Sequence, residues 1–194
     1  MRIGILALQG DVEAHAGTLA RLGLEAVPVR RGDELEEVAA LVIPGGESTT
    51  MSRLIERQGL HAPLREFAAD HPVMGTCAGL VLMARDPDDA RVTPLGLLDI
   101  RVSRNAYGRQ IHSFTATLDG EATGPVKAVF IRAPRVEATG PGVETLLEHE
   151  GSPVLVAEGP HFGCAFHPEL AGDPRIHALW LRRAGLLEDQ ERVA

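Results

Sequence analysis

Short apolar runs and longer amphipathic stretches alternate through the first half of the chain. Residues Ile3–Leu8 are almost continuously apolar, as in a strand buried on both faces, and Asp11–Leu22 has the spacing of an amphipathic helix with Asp11 as its N-cap. Further strands are predicted at Glu25–Arg30, Leu41–Pro44 and Pro72–Thr76, with helices at Asp33–Ala39, Ser48–Arg57 and, less regularly, Leu80–Ala84. This order predicts an α/β fold whose central sheet is mostly parallel, with helices on both faces.

The second half of the chain has shorter apolar runs separated by Gly and Pro turns, a pattern typical of antiparallel strands. The predicted strands are Leu98–Ser103, Ser113–Leu118, Val126–Ile131, Pro153–Ala157 and His161–Phe166. Glu158-Gly-Pro160 predicts a hairpin between the last two. A closing helix is expected at Asp173–Ala184 and a frayed acidic tail at Glu188–Ala194.

Length and charge limit the classes of protein that the chain can represent. With 194 residues and 44% hydrophobic content, residues 1–194 are expected to form a single domain with an ample core. A net charge of −8 argues against nucleic acid as the main partner, because neutralising phosphates requires clustered Lys and Arg. The longest apolar runs are far shorter than the roughly 18 residues of a membrane span, so no membrane association is predicted.

Cys77 lies in the small-residue segment Gly75-Thr-Cys-Ala-Gly79, between a predicted strand and a helix-like stretch. Such a turn projects its central side chain out of the sheet into a cleft, and a thiol at the start of a helix is activated as a thiolate. Burial as an inert core residue is the alternative, and it suits Cys164, which apolar residues flank. A reactive thiol requires a reducing compartment, so a cytoplasmic location is expected.

His167-Pro-Glu169 supplies the groups that a cysteine nucleophile needs. His167 follows a predicted buried strand, and Glu169 can accept a hydrogen bond from its second ring nitrogen, which fixes the tautomer. The other histidines, His15 and His177 among them, are interpreted as solvated or packing residues. Cys77, His167 and Glu169 therefore predict a cysteine-dependent acyl-transfer enzyme.

Pro44-Gly-Gly-Glu-Ser48 joins a predicted strand to a helix, where glycine amides can approach a ligand closely. Thiol attack on an amide needs donors at the developing oxyanion, and the candidates are the backbone amides of Ala78 and of the Gly45-Gly46 turn. The sequence contains no convincing metal-ligand spacing and no nucleotide-binding glycine pattern. No metal and no cofactor are therefore predicted.

Together these segments resemble the triad-type class I glutamine amidotransferases, and within them the glutaminase subunits of pyridoxal 5'-phosphate synthases. The motifs that carry the resemblance are Leu6-Ala-Leu-Gln-Gly-Asp11, Pro44-Gly-Gly-Glu-Ser-Thr-Thr-Met51, Gly75-Thr-Cys-Ala-Gly79, Arg104-Asn-Ala-Tyr-Gly-Arg-Gln110, Val129-Phe-Ile-Arg-Ala-Pro134 and Gly163-Cys-Ala-Phe-His-Pro-Glu169. The resemblance spans essentially the whole chain and implies a three-layer, flavodoxin-like fold.

The resemblance also implies roles for particular residues. Cys77 would be the nucleophile, with His167 and Glu169 completing the triad, and the residues binding L-glutamine would be Gly46, Glu47, Ser48, Arg104, Ile131 and Arg132. It further implies a synthase subunit that receives the ammonia and joins it to a pentose phosphate and glyceraldehyde 3-phosphate. Docking of that subunit would complete the oxyanion hole, and the Gln9-Gly10 turn is the element expected to respond to it.

Three other interpretations remain at this point. A glutaminase could serve a different biosynthetic synthase, and a flavodoxin-like cysteine peptidase could use the same cysteine turn. A catalytically idle subunit that only binds a synthase is the third, although the intact triad disfavours it.

Overall fold

The computed structural model describes residues 1–104 and 113–188. Its strands are β1 (Arg2–Leu6), β2 (Glu25–Val29), β3 (Ala40–Ile43), β4 (Val73–Thr76), β5 (Ala84–Pro87), β6 (Leu98–Ser103), β7 (Phe114–Leu118), β8 (Val126–Phe130), β9 (Arg135–Thr139), β10 (Glu144–His149), β11 (Ser152–Glu158) and β12 (His161–Cys164). Its helices are α1 (Val12–Ala20), α2 (Ser48–Arg57), α3 (His61–Asp70), α4 (Ala78–Met83) and α5 (Arg175–Arg183), with 3₁₀ turns at Gly32–Glu37 and Pro168–Leu170.

The predicted α/β fold with a mostly parallel central sheet and helices on both faces is confirmed. Seven strands form the sheet in the order β10-β11-β12-β4-β3-β1-β2. Strands β1, β2, β3, β4 and β12 are mutually parallel, and β11 runs antiparallel to both of its neighbours. The predicted hairpin at Glu158-Gly-Pro160 joins β11 to β12.

The parallel strands place four functional segments at one edge of the sheet. The turns after β1, β3, β4 and β12 contain Gln9, Gly45, Cys77 and His167, respectively. Carboxyl ends of parallel strands meet at one edge, which is where α/β proteins bind ligands. The core beneath this edge is apolar and includes Ile5, Leu41, Ile43, Met74 and Phe162, each at most 1% exposed.

The structure corrects the sequence-based elements in several places. The predicted helix at Asp33–Ala39 is a 3₁₀ turn, and the last strand stops at Cys164 instead of Phe166. Helix α3 and strands β5, β9 and β10 lie outside the predicted elements. Within residues 1–104 and 113–188, no helix is long and apolar enough to cross a bilayer. Most of the predicted acidic tail, and the motif that follows Arg104, lie outside the described residues.

Candidate active site

Cys77 occupies a backbone conformation that is unfavourable for a residue with a β-carbon. Its φ of 50° and ψ of −102° fall in a sparsely populated region, so the surrounding structure must hold it there. The Cys77 amide donates to the Cys164 carbonyl at 2.7 Å, which ties the turn to β12. The thiol is 8% exposed and is not in a disulfide. This arrangement matches the cysteine turn predicted between a strand and a helix.

Glycines on both sides of Cys77 let helix α4 lie directly against the sheet. A β-carbon at Gly79 would lie 2.1 Å from the Ile43 carbonyl oxygen, and one at Gly75 would lie 2.6 Å from the Gly79 carbonyl carbon. Neither distance is compatible with a side chain, so the small residues of this segment are required by packing. The close approach fixes the direction in which the Cys77 side chain leaves the sheet.

His167 and Glu169 lie beside this thiol. His167 Nδ1 is 2.7 Å from Glu169 Oε1, and the imidazole lines the same cleft as the Cys77 thiol. Burial alone would lower the pKa of His167, but the hydrogen bonds and charges of Cys77 and Glu169 outweigh it and raise the pKa to about 10. The imidazole is therefore held as an imidazolium at neutral pH, ready to donate a proton.

The glycine turn after β3 passes directly over the imidazole. A β-carbon at Gly45 would lie 2.5 Å from His167 Cε1 and 3.5 Å from the Cys77 β-carbon. A β-carbon at Gly10 would lie 1.9 Å from the Gly45 carbonyl oxygen, and Gly10 itself has a φ of +100°. The turns after β1 and β3 thus pack backbone against backbone beside the triad, which only glycine permits.

A cavity opens on the other side of Cys77. The structure brings all of the predicted glutamine-binding and oxyanion residues to it: its lining contains Gly46, Glu47, Ser48, Ala78, Arg104, Ile131 and Arg132. Five of its lining residues also line a wider cleft that contains Gln9, His167 and Glu169. Leu170, 42% exposed, lies on the cleft's lining as well.

Glu47 is the N-cap of α2 and comes one residue before the predicted beginning of this helix at Ser48. Its carboxylate accepts from the amides of Thr49 and Thr50, at 3.2 and 2.7 Å, and from both threonine hydroxyls. Desolvation would raise the pKa of Glu47, but these hydrogen bonds lower it to about 2. The carboxylate therefore carries a fixed negative charge at the cavity wall.

Arg104, the residue after β6, forms an ion pair with the Glu47 carboxylate. Its Nη2 donates to Glu47 Oε1 at 2.9 Å, and its Nη1 donates to Asp89. Hydrogen bonds from Arg91, together with the charge of Arg104, lower the pKa of Asp89. A guanidinium held between two carboxylates at a cavity wall is suited to binding a ligand that carries both a carboxylate and an ammonium group.

Two histidines that the sequence analysis interpreted as solvated or packing residues lie behind the triad. His15 from α1 and His177 from α5 have no exposed surface, and His15 Nδ1 is 3.0 Å from His177 Nε2. His15 Nε2 is 3.5 Å from Glu169 Oε1. Of the two alternatives, the interpretation as packing residues is confirmed and the interpretation as solvated residues is wrong. His15 shares the buried face of α1 with Thr18 and Leu19, and this i, i+3, i+4 spacing is the sequence signal that places it inside.

The buried histidine pair predicts a loss of stability at acid pH. Burial lowers the pKa of His15 to about 3 and that of His177 to about 4, so the unfolded chain takes up these protons first as the pH falls below 6.5. The free energy of unfolding should fall by about 1.4 kcal/mol per pH unit for each histidine between pH 6.5 and 4. His167 does not oppose this trend. Its raised pKa stabilises the folded state fully below pH 6.5, and this stabilisation is lost only as the pH rises toward 10.

Denaturant titrations at pH 7, 6 and 5 measure this slope. The variant His177→Leu should reduce it, whereas Thr18→Ala, which removes a buried polar group from α1 without removing a titratable one, should leave it unchanged. An identical slope for wild type and His177→Leu would contradict the assignment.

Within residues 1–104 and 113–188, no three His, Cys, Asp or Glu side chains are grouped as a metal site would require. The cavity residues include no set of donors that would select a cofactor either. The described site brings together a thiol, an imidazolium, a buried carboxylate and a cavity wall with charges of both signs.

The sequence profile of the SNO glutamine amidotransferase family matches residues 5–185. The chain belongs to the SNO glutamine amidotransferase family. Curated relatives within it include the pyridoxal 5'-phosphate synthase subunit PdxT of Koribacter versatilis, 49% identical over 94% of this chain and 95% of that protein. The PdxT subunit of Acidothermus cellulolyticus is 52% identical over 93% and 92% of the two chains.

Solved structures agree with this family. A crystal structure of a glutamine amidotransferase superposes with a TM-score of 0.90 at 42% identity, covering 94% of this chain and 98% of that one. The structure of PurLQS from Thermotoga maritima superposes with a TM-score of 0.67 at 16% identity, over 93% of this chain and 97% of the other, and shows a shared fold. The SNO family assignment therefore rests on sequence and structure together.

Proposed function

We propose that this chain is the glutaminase subunit of a pyridoxal 5'-phosphate synthase, acting as one domain over residues 1–194 in the cytoplasm. It hydrolyses L-glutamine to L-glutamate and ammonia. It passes the ammonia to a synthase subunit that uses a pentose phosphate and glyceraldehyde 3-phosphate. The observation that carries the proposal is the thiol of Cys77, beside the hydrogen-bonded pair of His167 and Glu169, at the wall of a cavity lined by fixed charges of both signs.

The first half of the reaction transfers the glutamyl group to sulfur. The Cys77 thiolate attacks the side-chain carboxamide carbon, and the backbone amides of Gly46 and Ala78 are the proposed donors to the developing oxyanion. His167, held as an imidazolium by Glu169, gives its proton to the departing nitrogen as the carbon–nitrogen bond breaks. Ammonia leaves, and the glutamyl thioester remains on Cys77.

The second half returns the enzyme to its starting state. His167, now neutral, takes a proton from a water molecule whose oxygen attacks the thioester carbonyl. Breaking the carbon–sulfur bond releases glutamate and regenerates the thiolate–imidazolium pair. The sum of the two halves is glutamine plus water giving glutamate plus ammonia.

Binding of the substrate's amino-acid end is assigned to the charged wall of the cavity. Arg104 is placed to receive the α-carboxylate, and Glu47, with Ser48 beside it, the α-ammonium group. The Arg104–Glu47 contact of 2.9 Å is then replaced by two contacts to the zwitterion, so that opposite charges remain paired. Ile131 and Arg132 close the pocket from the turn after β8, where Arg132 has a φ of 45°.

The function is tested by measuring glutamate release from glutamine, with and without the synthase subunit from the same organism, using asparagine as the control substrate. We expect release from glutamine only, stimulated by the synthase, and pyridoxal 5'-phosphate formation from glutamine that requires this chain. Formation from an ammonium salt should not require it. Absence of glutamate release under both conditions would overturn the proposal.

Gln9 is the proposed link between docking and catalysis. Its side-chain oxygen accepts from the Glu47 amide at 3.0 Å, so it holds the Gly46–Glu47 peptide segment that borders both the cleft and the pocket. Gln9→Ala should lower synthase-stimulated glutamate release about tenfold, corresponding to about 1.4 kcal/mol of lost transition-state stabilisation. The exposed Gln58→Ala at the far end of α2 is the control. Stimulation and complex formation equal to wild type would show that Gln9 has no such role.

A further inference from the structure

The carboxylate of Glu169 faces a second imidazole that the proposed reaction does not use. His15 Nε2 lies 3.5 Å from Glu169 Oε1 and 3.3 Å from the hydroxyl of Thr76, the residue before the nucleophile. The side chains of Glu169 and His15 are 1% and 0% exposed. Water therefore has no open access to this side of the triad, and the protein must supply the groups that orient the carboxylate.

The contacts of His177 determine which nitrogen of His15 carries the proton. His177 Nε2 lies 3.0 Å from His15 Nδ1, and His177 Nδ1 is buried without a hydrogen-bond partner in the described structure. If His15 donated from Nδ1, His177 would have to carry its own proton on that partnerless Nδ1. An acceptor without a partner is tolerated better than a buried N–H group without one. The consistent arrangement is therefore His177 Nε2–H donating to His15 Nδ1.

This tautomer leaves the proton of His15 on Nε2, which is hydrogen-bonded to the Thr76 hydroxyl and in electrostatic contact with Glu169 Oε1. The opposite tautomer would direct a lone pair at the carboxylate, which is electrostatically unfavourable. Burial lowers the pKa of His15 to about 3, so the ring is neutral. A neutral donor orients the carboxylate without cancelling its charge, and the charge stays available to the imidazolium of His167.

We infer that His15 is a positioning residue for the glutaminase reaction: its Nε2–H, bonded to the Thr76 hydroxyl, faces the Glu169 carboxylate and favours its orientation toward His167, and His177 fixes the tautomer that makes this possible. The inference rests on the proposed function, because it concerns the proposed triad. It extends the triad of Cys77, His167 and Glu169 inward through two helices, α1 and α5, that contribute no residue to the pocket.

The remaining neighbours of Glu169 give it no competing charge. Cys164 on β12 is buried, and burial raises the pKa of its thiol well above the usual value, so it is neutral. Thr76 on β4 offers only a hydroxyl. Glu169 Oε2 is buried with no partner in the described structure, so Oε1 carries the hydrogen bond to His167 and the contact with His15. Removal of His15 leaves a buried carboxylate with one donor, free to rotate away from His167.

The test compares His15→Leu, His15→Gln and Thr18→Ala. Leucine removes the donor, whereas glutamine can place its amide nitrogen near the position of Nε2. Thr18→Ala disturbs the same buried face of α1 without contacting Glu169. With the synthase subunit present, we expect kcat for glutamine to fall about tenfold in His15→Leu while KM stays within twofold. His15→Gln should recover most of the loss, and Thr18→Ala should match wild type.

A second measurement separates this inference from the function itself. Iodoacetamide alkylation of Cys77, followed by mass spectrometry on the isolated chain, needs neither glutamine nor the synthase. If Glu169 no longer favours the imidazolium, the proton returns to sulfur. The alkylation rate at pH 7 should then fall about fivefold in His15→Leu, with the rate profile moving to higher pH.

The outcomes distinguish the two claims. Alkylation profiles that coincide for wild type and His15→Leu would overturn the positioning role even if glutaminase activity is found. A shifted profile in a chain that releases no glutamate would support the positioning of Glu169 and overturn the proposed function. Equal losses in His15→Leu and His15→Gln, with an unshifted profile, would reduce His15 to a packing residue.

Discussion

Cys77→Ala is expected to abolish glutamate release, lowering kcat by about 10⁵-fold or more, as removal of the nucleophile does in enzymes whose catalytic groups act as a unit. Alanine cannot form the glutamyl thioester, and no second thiol lines the described pocket. Glutamine binding should be retained, because the substitution does not change the charged wall formed by Glu47 and Arg104. Glutamine should therefore still bind the variant when binding is measured by calorimetry.

Cys164→Ala is the matched control for this prediction. It removes the only other thiol, which is buried and neutral, while the Cys164 carbonyl that accepts from the Cys77 amide remains. Its activity should lie within about twofold of wild type, as expected for a change away from the reacting atoms. Glutamate release by Cys77→Ala, or its loss in Cys164→Ala with the fold intact, would contradict the assignment of the nucleophile.

Glu169→Gln is expected to lower kcat by about 10³–10⁴-fold with little change in KM, by analogy with the loss of the orienting carboxylate in other triads. The neutral amide neither stabilises the imidazolium nor fixes the tautomer that the 2.7 Å contact with His167 fixes now. The pKa of His167, which hydrogen bonds and charges from Cys77 and Glu169 raise to about 10, should fall.

The same substitution should change the pH dependence of the reaction rate in a definite direction. A raised pKa keeps the imidazolium protonated up to about pH 10, so the alkaline decline of the wild-type rate should come late. In Glu169→Gln the decline should begin at lower pH. The exposed Glu148→Gln, which removes the same charge elsewhere, should leave the profile unchanged. An unaltered alkaline limb in Glu169→Gln would show that another group holds the imidazolium.

Three strands of the parallel half are predictable because they are buried on both faces. β1, β3 and β4 are continuous apolar or small-residue runs with turn signals on both sides, so sequence alone locates them. β9 and β10 each bury one hydrophobic residue, Val136 and Leu147, and such half-exposed strands carry no clear alternation. Their pairing partners, not their composition, make them strands.

Some features of the site can be predicted from residues that are neighbours in sequence, and others depend on contacts between residues far apart in sequence. The cysteine turn and His167-Pro-Glu169 are short segments whose geometry follows from neighbouring residues, and the structure places them as expected. The contact between His15 and His177 joins positions 162 residues apart, which no local pattern contains. The segment that contains Glu47 can be recognised from the sequence. Its role as the N-cap of α2 cannot, because that role depends on the residue at which the helix begins.

The nucleophile and its base follow β4 and β12, two strands that pair in the central sheet, and backbone hydrogen bonds hold both residues. The Cys77 amide is held by Cys164 at 2.7 Å, and the His167 amide is held by Val129 at 2.8 Å. Strand spacing in a sheet is nearly constant, so the distance from sulfur to imidazole is built in before any partner arrives. An arriving subunit has little to adjust there. What it can still adjust is the glycine turn over the imidazole, where Gly45 and Gly46 have no side chains of their own and the Gln9 side chain binds the following Glu47 amide. Under the proposed function, the thiol and the imidazole are in place before docking. Docking of the partner would then control when the backbone donors are positioned to bind the oxyanion.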